Sequence, residues 1–136
     1  MNEVLRNLQA EGTLADVTVA KLNAQLYSTG ELMFAALMQS LHIKPQPGKN
    51  ATSTLESVFC DTNKTSSTKQ LYVVVLDEID QLISGASLSL YALFGWAKSA
   101  SNRLVLVGIA NLLDLGVHLK HLHRLQCTCN CEVVRD

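Results

Sequence analysis

No single sign of charge dominates this sequence: 11 Lys and Arg stand against 12 Asp and Glu, for a formal net charge of −1. That balance excludes the strongly basic chains that hold nucleic acid through bulk charge, so DNA contact by this segment alone is not expected. The longest apolar runs are too short and too interrupted to span a bilayer. The first residues, MNEVLRNLQAEG, contain no apolar stretch of the signal-peptide kind. An intracellular, soluble protein without a membrane partner is therefore expected. Cysteines are few and poorly spaced for disulfides: Cys60 stands alone, while Cys127, Cys129 and Cys131 crowd into the last ten residues. This is not the framework of a small secreted domain. The triplets Asn50-Ala51-Thr52 and Asn63-Lys64-Thr65 match glycosylation acceptors, but they sit in a Ser/Thr-rich stretch with no secretory route to use them.

What is present is apolar content ample for a core, 48% of 136 residues, in a length that fits one domain or a piece of one. Val4, Leu5 and Leu8 make one helical stripe over about 2–11, with Gly12 as its stop. A strand over about 17–22 follows by alternation, with Val17, Val19 and Lys21 facing one way and Thr18, Ala20 and Leu22 the other. Ser28 with Glu31 reads as a capping box, and Tyr27 can staple onto Leu32. The helix they open should run from 29 to 42 and be stopped by Lys44-Pro45. Residues 45–69 are rich in Pro, Gly, Asn, Ser, Thr and Lys, and read as a long flexible loop with one short helix near 54–60. A second strand, 71–76, is a continuous apolar run suited to a parallel strand covered on both faces. A helix over Ser87 to Lys98, carrying Leu88, Tyr91, Ala92, Phe94 and Trp96, precedes a third strand over 103–109. Strands alternating with helices predict an α/β layer of three parallel strands with right-handed crossovers. In such sheets the ligand site lies outside the carboxyl ends of the strands. Asp77 follows the second strand and Asn111 the third, so neighbouring strands would bring both to one edge of the sheet.

The stretch LYVVVLDEIDQL turns from uncharged residues to three carboxylates, Asp77, Glu78 and Asp80, within four positions. An apolar strand ending in Asp-Glu is the physical form of a Walker B element. Its first acid holds a nucleotide's magnesium ion, usually through water, because magnesium keeps most of its hydration shell. Its second polarises the water that attacks the γ-phosphate in line. An Asn at the tip of the next strand can orient that water or touch the γ-phosphate. The plainer alternative is that Asp77 and Glu78 cap the next helix or turn.

A wider view connects these pieces. LYVVVLDEIDQL, then LYALFGWAKSASNRLVLVGIANLLDL, resembles the Walker B to sensor 1 region of the initiator-type AAA+ ATPases, the family of cell division control protein 6 and origin recognition complex subunit 1. The carriers are DEID at Asp77 to Asp80, LYALFGW at Leu90 to Trp96 and GIANLLDL at Gly108 to Leu115. The match is loose from Val17 and tight from Leu71 to Leu115. The resemblance implies ATP and Mg2+ as cofactors, Asp77 as the magnesium-binding acid, Glu78 as the catalytic acid and Asn111 as the sensor 1 residue that meets nucleotide. It gives Asp80 no firm role. It further implies a nuclear origin-licensing ATPase whose partners are the origin recognition complex, the replicative helicase and, through domains not present here, origin DNA.

Departures from the family pattern are as informative. The family cradles phosphates with a G-x-x-G-x-G-K-[ST] loop. The 136 residues hold one GK, in Pro47-Gly48-Lys49-Asn50, which lacks the upstream glycine and the Ser/Thr and follows a helix. By resemblance MNEVLRNLQAEG matches the helix after that loop, so residues 1–115 read as a partial AAA+ domain without its first strand, phosphate loop and lid. After the sensor the family continues with Thr-Asp-Arg, whereas here Gly116-Val117-His118 follows and Arg124 comes several residues late. Residues 116–136 form a divergent tail with His118, His121, His123 and the three cysteines. Its C-x-C-x-C spacing alternates like a strand or tail and lacks the paired C-x₂₋₄-C knuckles of a zinc site. A frameshift or intron read-through near Gly116 would account for the change.

The family's sheet order is 5-1-4-3-2, so the three strands here would be its second, third and fourth. The last should then present an open, apolar edge able to pair with a partner. Little or no ATP affinity is expected of the chain alone, which would be inactive by itself. The leading reading is a fragment of a replication-initiation ATPase. A non-catalytic interaction module using the same fold, or another AAA+ protein such as a clamp loader, are the alternatives. LYALFGW and GIANLLDL favour the initiator.

Overall fold

The computed structural model describes residues 16–60, 70–85, 87–99 and 103–110, together with Glu3 and Arg6, which are exposed and helical. The rest of the first expected helix and the whole His/Cys-rich tail lie outside the described residues. Three strands, β1 (Val17–Asn23), β2 (Leu71–Asp77) and β3 (Leu104–Gly108), form one parallel sheet in the order β1-β2-β3. The register pairs Val17 with Leu71 and Asn23 with Asp77 on one side of β2, and Tyr72 with Leu104 and Leu76 with Gly108 on the other. The sheet thus has the predicted strands, direction and order. In β2, Tyr72 to Leu76 are all buried, as a Val-rich central parallel strand requires.

Within residues 16–110, four described helices accompany the sheet: α1 (Gly30–Ser40), α2 (Ala51–Phe59), α3 (Asp80–Gly85) and α4 (Ser87–Lys98), with a short 3-10 turn at Ala24–Leu26. The core joins one face of the sheet, from Ala20, Leu22, Tyr72, Val74, Leu76 and Leu104, to Met33, Phe34, Leu37 and Met38 of α1. It continues through Leu55 and Phe59 of α2 and Leu90, Leu93 and Trp96 of α4. Aromatic rings tie the layers together. Phe59 lies 5.5 Å from Tyr72 and 5.8 Å from Trp96, whose ring is 5.4 Å from Phe34. Tilted and edge-on pairs of this kind add about 0.5–1.5 kcal/mol each beyond area burial. Gly30 of α1 lies close against Ser89 of α4, and a Cβ on Gly30 would fall onto the Ser89 hydroxyl.

The helix ends show where local chemistry departs from the sequence reading. The cap of α1 is Thr29, one residue after the expected Ser28, and its hydroxyl accepts from the Leu32 N–H at 3.4 Å. The helix stops before Lys44-Pro45 because the chain closes on itself first. His42 turns left-handed at φ 55, and the N–H groups of His42 and Ile43 donate to the carbonyls of Gln39 and Met38 at 3.1 and 2.9 Å. This is a Schellman closure with histidine where glycine is usual, completed by Ile43 packing back on the core. The helix expected near 54–60 begins three residues earlier, capped by Asn50, whose side-chain oxygen accepts from the Ser53 N–H at 2.8 Å. The Thr54 hydroxyl donates to the Asn50 carbonyl at 2.9 Å, which is how Thr54 sits fully buried. α3 was not anticipated at all; it fits between the acids and α4.

These contacts set a stability order that urea unfolding can read. Phe59→Ala is expected to cost about 3–5 kcal/mol, since it opens a cavity beside the rings of Tyr72 and Trp96. Asn50→Ala should cost about 1 kcal/mol through its lost cap. Leu88→Ala, at a residue 83% exposed, should stay within about 0.5 kcal/mol of the parent. Equal losses for Phe59→Ala and Leu88→Ala would contradict this packing.

Candidate functional site

The carboxyl ends of the strands converge at one edge, and the acids stand there. β2 ends on Asp77, so its backbone is still paired in register with Asn23 of β1 when the side-chain charge appears. Both Asp77 and Glu78 are half-buried. The Glu78 N–H donates to Asp77 Oδ1 at 3.0 Å, which leaves the second carboxylate oxygen of Asp77 for other donors. Glu78 itself is left-handed, at φ 54. Such a conformation costs a side-chain-bearing residue about 1–2 kcal/mol, and here it turns the chain out of the strand into α3.

Two backbone bonds fasten this turn to the end of β3. The Ile109 N–H donates to the Leu76 carbonyl at 2.8 Å, and the Ile79 N–H donates to the Ile109 carbonyl at 3.0 Å. Ile79 packs into the space beside Gly108, where a Cβ would stand 2.8 Å from Ile79 Cδ1. The neighbour relation on which the sequence argument depended is therefore present: the tip of β2 and the residues leading into position 111 share one edge. Asn111 itself lies outside the described residues, which end at the buried Ala110.

Two features escaped the sequence reading. Asn23 reaches the same edge beside Asp77, with its Oδ1 accepting from the Gln25 N–H at 2.9 Å and so shaping the turn after β1. Extending the strand by one residue past Leu22 would have found it. Asp80 opens α3, and its Oδ1 is buried with no hydrogen-bond partner. Its other oxygen has only a 3.5 Å contact from Gln81 Nε2.

The donor set suits a hydrated magnesium ion better than an all-protein cage. Among the described residues no three His, Cys, Asp or Glu side chains converge on a metal position. A single strand-end carboxylate with one free oxygen is what magnesium bound largely through its own water needs. Cys60, the described cysteine, is half-buried. Burial pushes its thiol up, opposed by a hydrogen bond with Ser99 and assisted by the Glu56 charge. No helix among the described residues is long and apolar enough to cross a membrane.

Known proteins resemble this chain in both sequence and fold. No protein-family profile matches it. The human cell division control protein 6 homolog is 33% identical over 135 residues, covering 97% of this chain and 22% of that protein. Cell division control protein 18 of Schizosaccharomyces pombe is 47% identical over 64 residues, 45% of this chain and 10% of its own. Origin recognition complex subunit 1 of the same yeast is 29% identical over 118 residues, 85% of this chain and 16% of its own. Among solved structures, the Aeropyrum pernix ORC2 protein in its ADPNP-ADP complexes superposes with a TM-score of 0.71 at 17% identity, over 93% of this chain and 34% of that one. A chain of Drosophila ORC bound to DNA gives 0.56 at 19% identity, over 87% of this chain and 30% of that one. The chain thus spans about a fifth of the length of the human relative. Sequence likeness over most of its length and the shared sheet agree: the chain is a partial AAA+ core of the initiator-type family to which cell division control protein 6 and origin recognition complex subunit 1 belong.

Proposed function

We propose that this chain is the Walker B to sensor 1 part of a replication-initiation ATPase and that its acidic tip acts on ATP in the intact protein. The observation that carries the reading is the Asp77-Glu78 pair at the exit of the central parallel strand, bonded through Ile79 and Ile109 to the end of the neighbouring strand. Asp77 holds the hydration shell of a nucleotide-bound magnesium ion with its free oxygen. Bound magnesium supplies neutralisation of the phosphate charge. Glu78 takes the proton of the attacking water, and Asn111 orients that water or meets the γ-phosphate. Residues 1–115 form the partial ATPase domain and 116–136 a divergent tail. Contact with the origin recognition complex and with DNA belongs to the intact protein, and the names of its relatives support it; helicase loading and a nuclear location rest on the sequence resemblance alone. A clamp loader shares the Walker B logic, but no sequence feature favours it.

The 136-residue chain has no glycine-rich cradle for the phosphates in its sequence. Titration calorimetry is expected to find no Mg-ATP binding in the micromolar range. Micromolar binding that Asp77→Asn abolishes would overturn that expectation.

Sequencing the transcript through both ends of the reading frame tests the larger claim. An in-frame strand and G-x-x-G-x-G-K-[ST] loop before Met1 would define the intact enzyme. In that enzyme Glu78→Gln is expected to retain ATP binding while turnover falls about 100-fold or more. Unchanged turnover in Glu78→Gln would remove Glu78 from the mechanism.

A further inference from the structure

The hydrogen bonds at the tip of β2 fall out of step by one residue. In a parallel ladder every second residue of a strand turns its N–H and carbonyl to the same neighbour. Along β2 the even positions turn to β3: Tyr72 N–H donates to the Arg103 carbonyl at 2.7 Å, and the Leu76 carbonyl accepts from Ile109 N–H at 2.8 Å. Continued regularly, Glu78 N–H would donate to the Ile109 carbonyl. It is Ile79 N–H that does so, at 3.0 Å, while Glu78 N–H turns back to Asp77 Oδ1 at 3.0 Å. Asp77 and Glu78 together therefore stand opposite the single residue Ile109. This is a β-bulge, with Glu78 as its extra residue, left-handed at φ 54.

The side chains change step with the backbone. Tyr72, Val74 and Leu76 join the core with α1, α2 and α4, so the next residue of that row is 78. A regular strand would drive the Glu78 carboxylate into the core. Ile79 takes that place instead, 9% exposed and part of the core cluster, and Glu78 stays half-buried outside it.

We propose that this bulge is what turns both acids to one ligand, with Ile79 as the positioning residue that anchors it. Asp77 lies before the bulge, held by its pairing with Asn23, so its place does not depend on Ile79. Glu78 does depend on it, because Ile79 fills the core position that a regular strand would give to residue 78. The proposal rests on the nucleotide reading for the chemistry of the acids, whereas the bulge itself does not.

Nuclear magnetic resonance on the full 136-residue chain tests the bulge. A hydrogen-bond coupling is expected between the Ile79 nitrogen and the Ile109 carbonyl carbon, with none from the Glu78 nitrogen. The reverse pattern overturns the proposal. Two single-residue deletions, read by urea unfolding, put the same question to the side chains. Deleting Glu78 removes the extra residue, leaves Ile79 in the core and should keep the midpoint at or above the parent's. Deleting Ile79 pulls an acid towards the core and should lower the midpoint well below it. A Glu78 deletion as damaging as the Ile79 deletion refutes the bulge. In the intact enzyme Ile79→Ala should lower kcat about tenfold or more with KM for ATP unchanged, and Ile79→Val should restore it. A change confined to KM, or turnover untouched by Ile79→Ala, removes Ile79 as a positioning residue. Unchanged turnover in Glu78→Gln instead removes the nucleotide reading and leaves the bulge standing.

Discussion

The central strand governs everything else in this chain. β2 is buried from Tyr72 to Leu76 on both faces, so each of its peptide groups needs a partner within the sheet. β1 and β3 supply those partners in register, and parallel pairing forces the connections to cross over the sheet as helices. α1, α2 and α4 cover one of those faces. Their apolar sides meet around Phe59 and Trp96, and the Arg103 N–H bond to the Phe59 carbonyl at 3.0 Å ties the end of α2 to the approach of β3. Carboxylates can enter such an element only where it leaves the core, and Asp77 is the first position at which it does.

Much of this could be read from residue patterns because the pattern and the burial have the same cause. The unbroken run 71–76 signals a strand covered twice, and the alternation at 17–22 signals an edge strand with one covered face: Ala20 and Leu22 are buried, Val19 and Lys21 exposed. Helix ends were less legible. Ser28 and Thr29 are chemically equivalent caps, and the choice depends on which residue is extended when α1 meets α4 at Gly30 and Ser89. The closure at His42 was hidden because histidine carries no sequence signal for a left-handed turn, whereas the nearby proline does. α2 was blurred because Asn50-Ala51-Thr52-Ser53 has the composition of a loop, although Asn50 is an N-cap of good geometry.

The site was legible to a different degree. Strand order placed the acids at the shared edge, and resemblance gave them roles, but neither could supply the backbone geometry. Gly108 is a case in point. Its sequence context suggested a motif, whereas in the structure Ile79 packs into the space beside it. That contact and the bonds of Ile79 and Ile109 join the acid-bearing turn to the approach to position 111.

A capping role for Asp77 and Glu78 fits less well once the costs at this turn are considered together. A turn serving only to start α3 would do better with Gly or Asn at position 78, where the left-handed backbone costs a glutamate about 1–2 kcal/mol. It would also do better without Asp80, whose buried, unpartnered oxygen costs about 1–3 kcal/mol more. Elsewhere among the described residues the other left-handed side-chain-bearing residue, His42, closes α1, the N-caps of α1 and α2 are satisfied, and the buried Thr54 is bonded. Strain at Glu78 and an orphaned acceptor on Asp80 thus fall in one acidic turn at the carboxyl edge of the sheet.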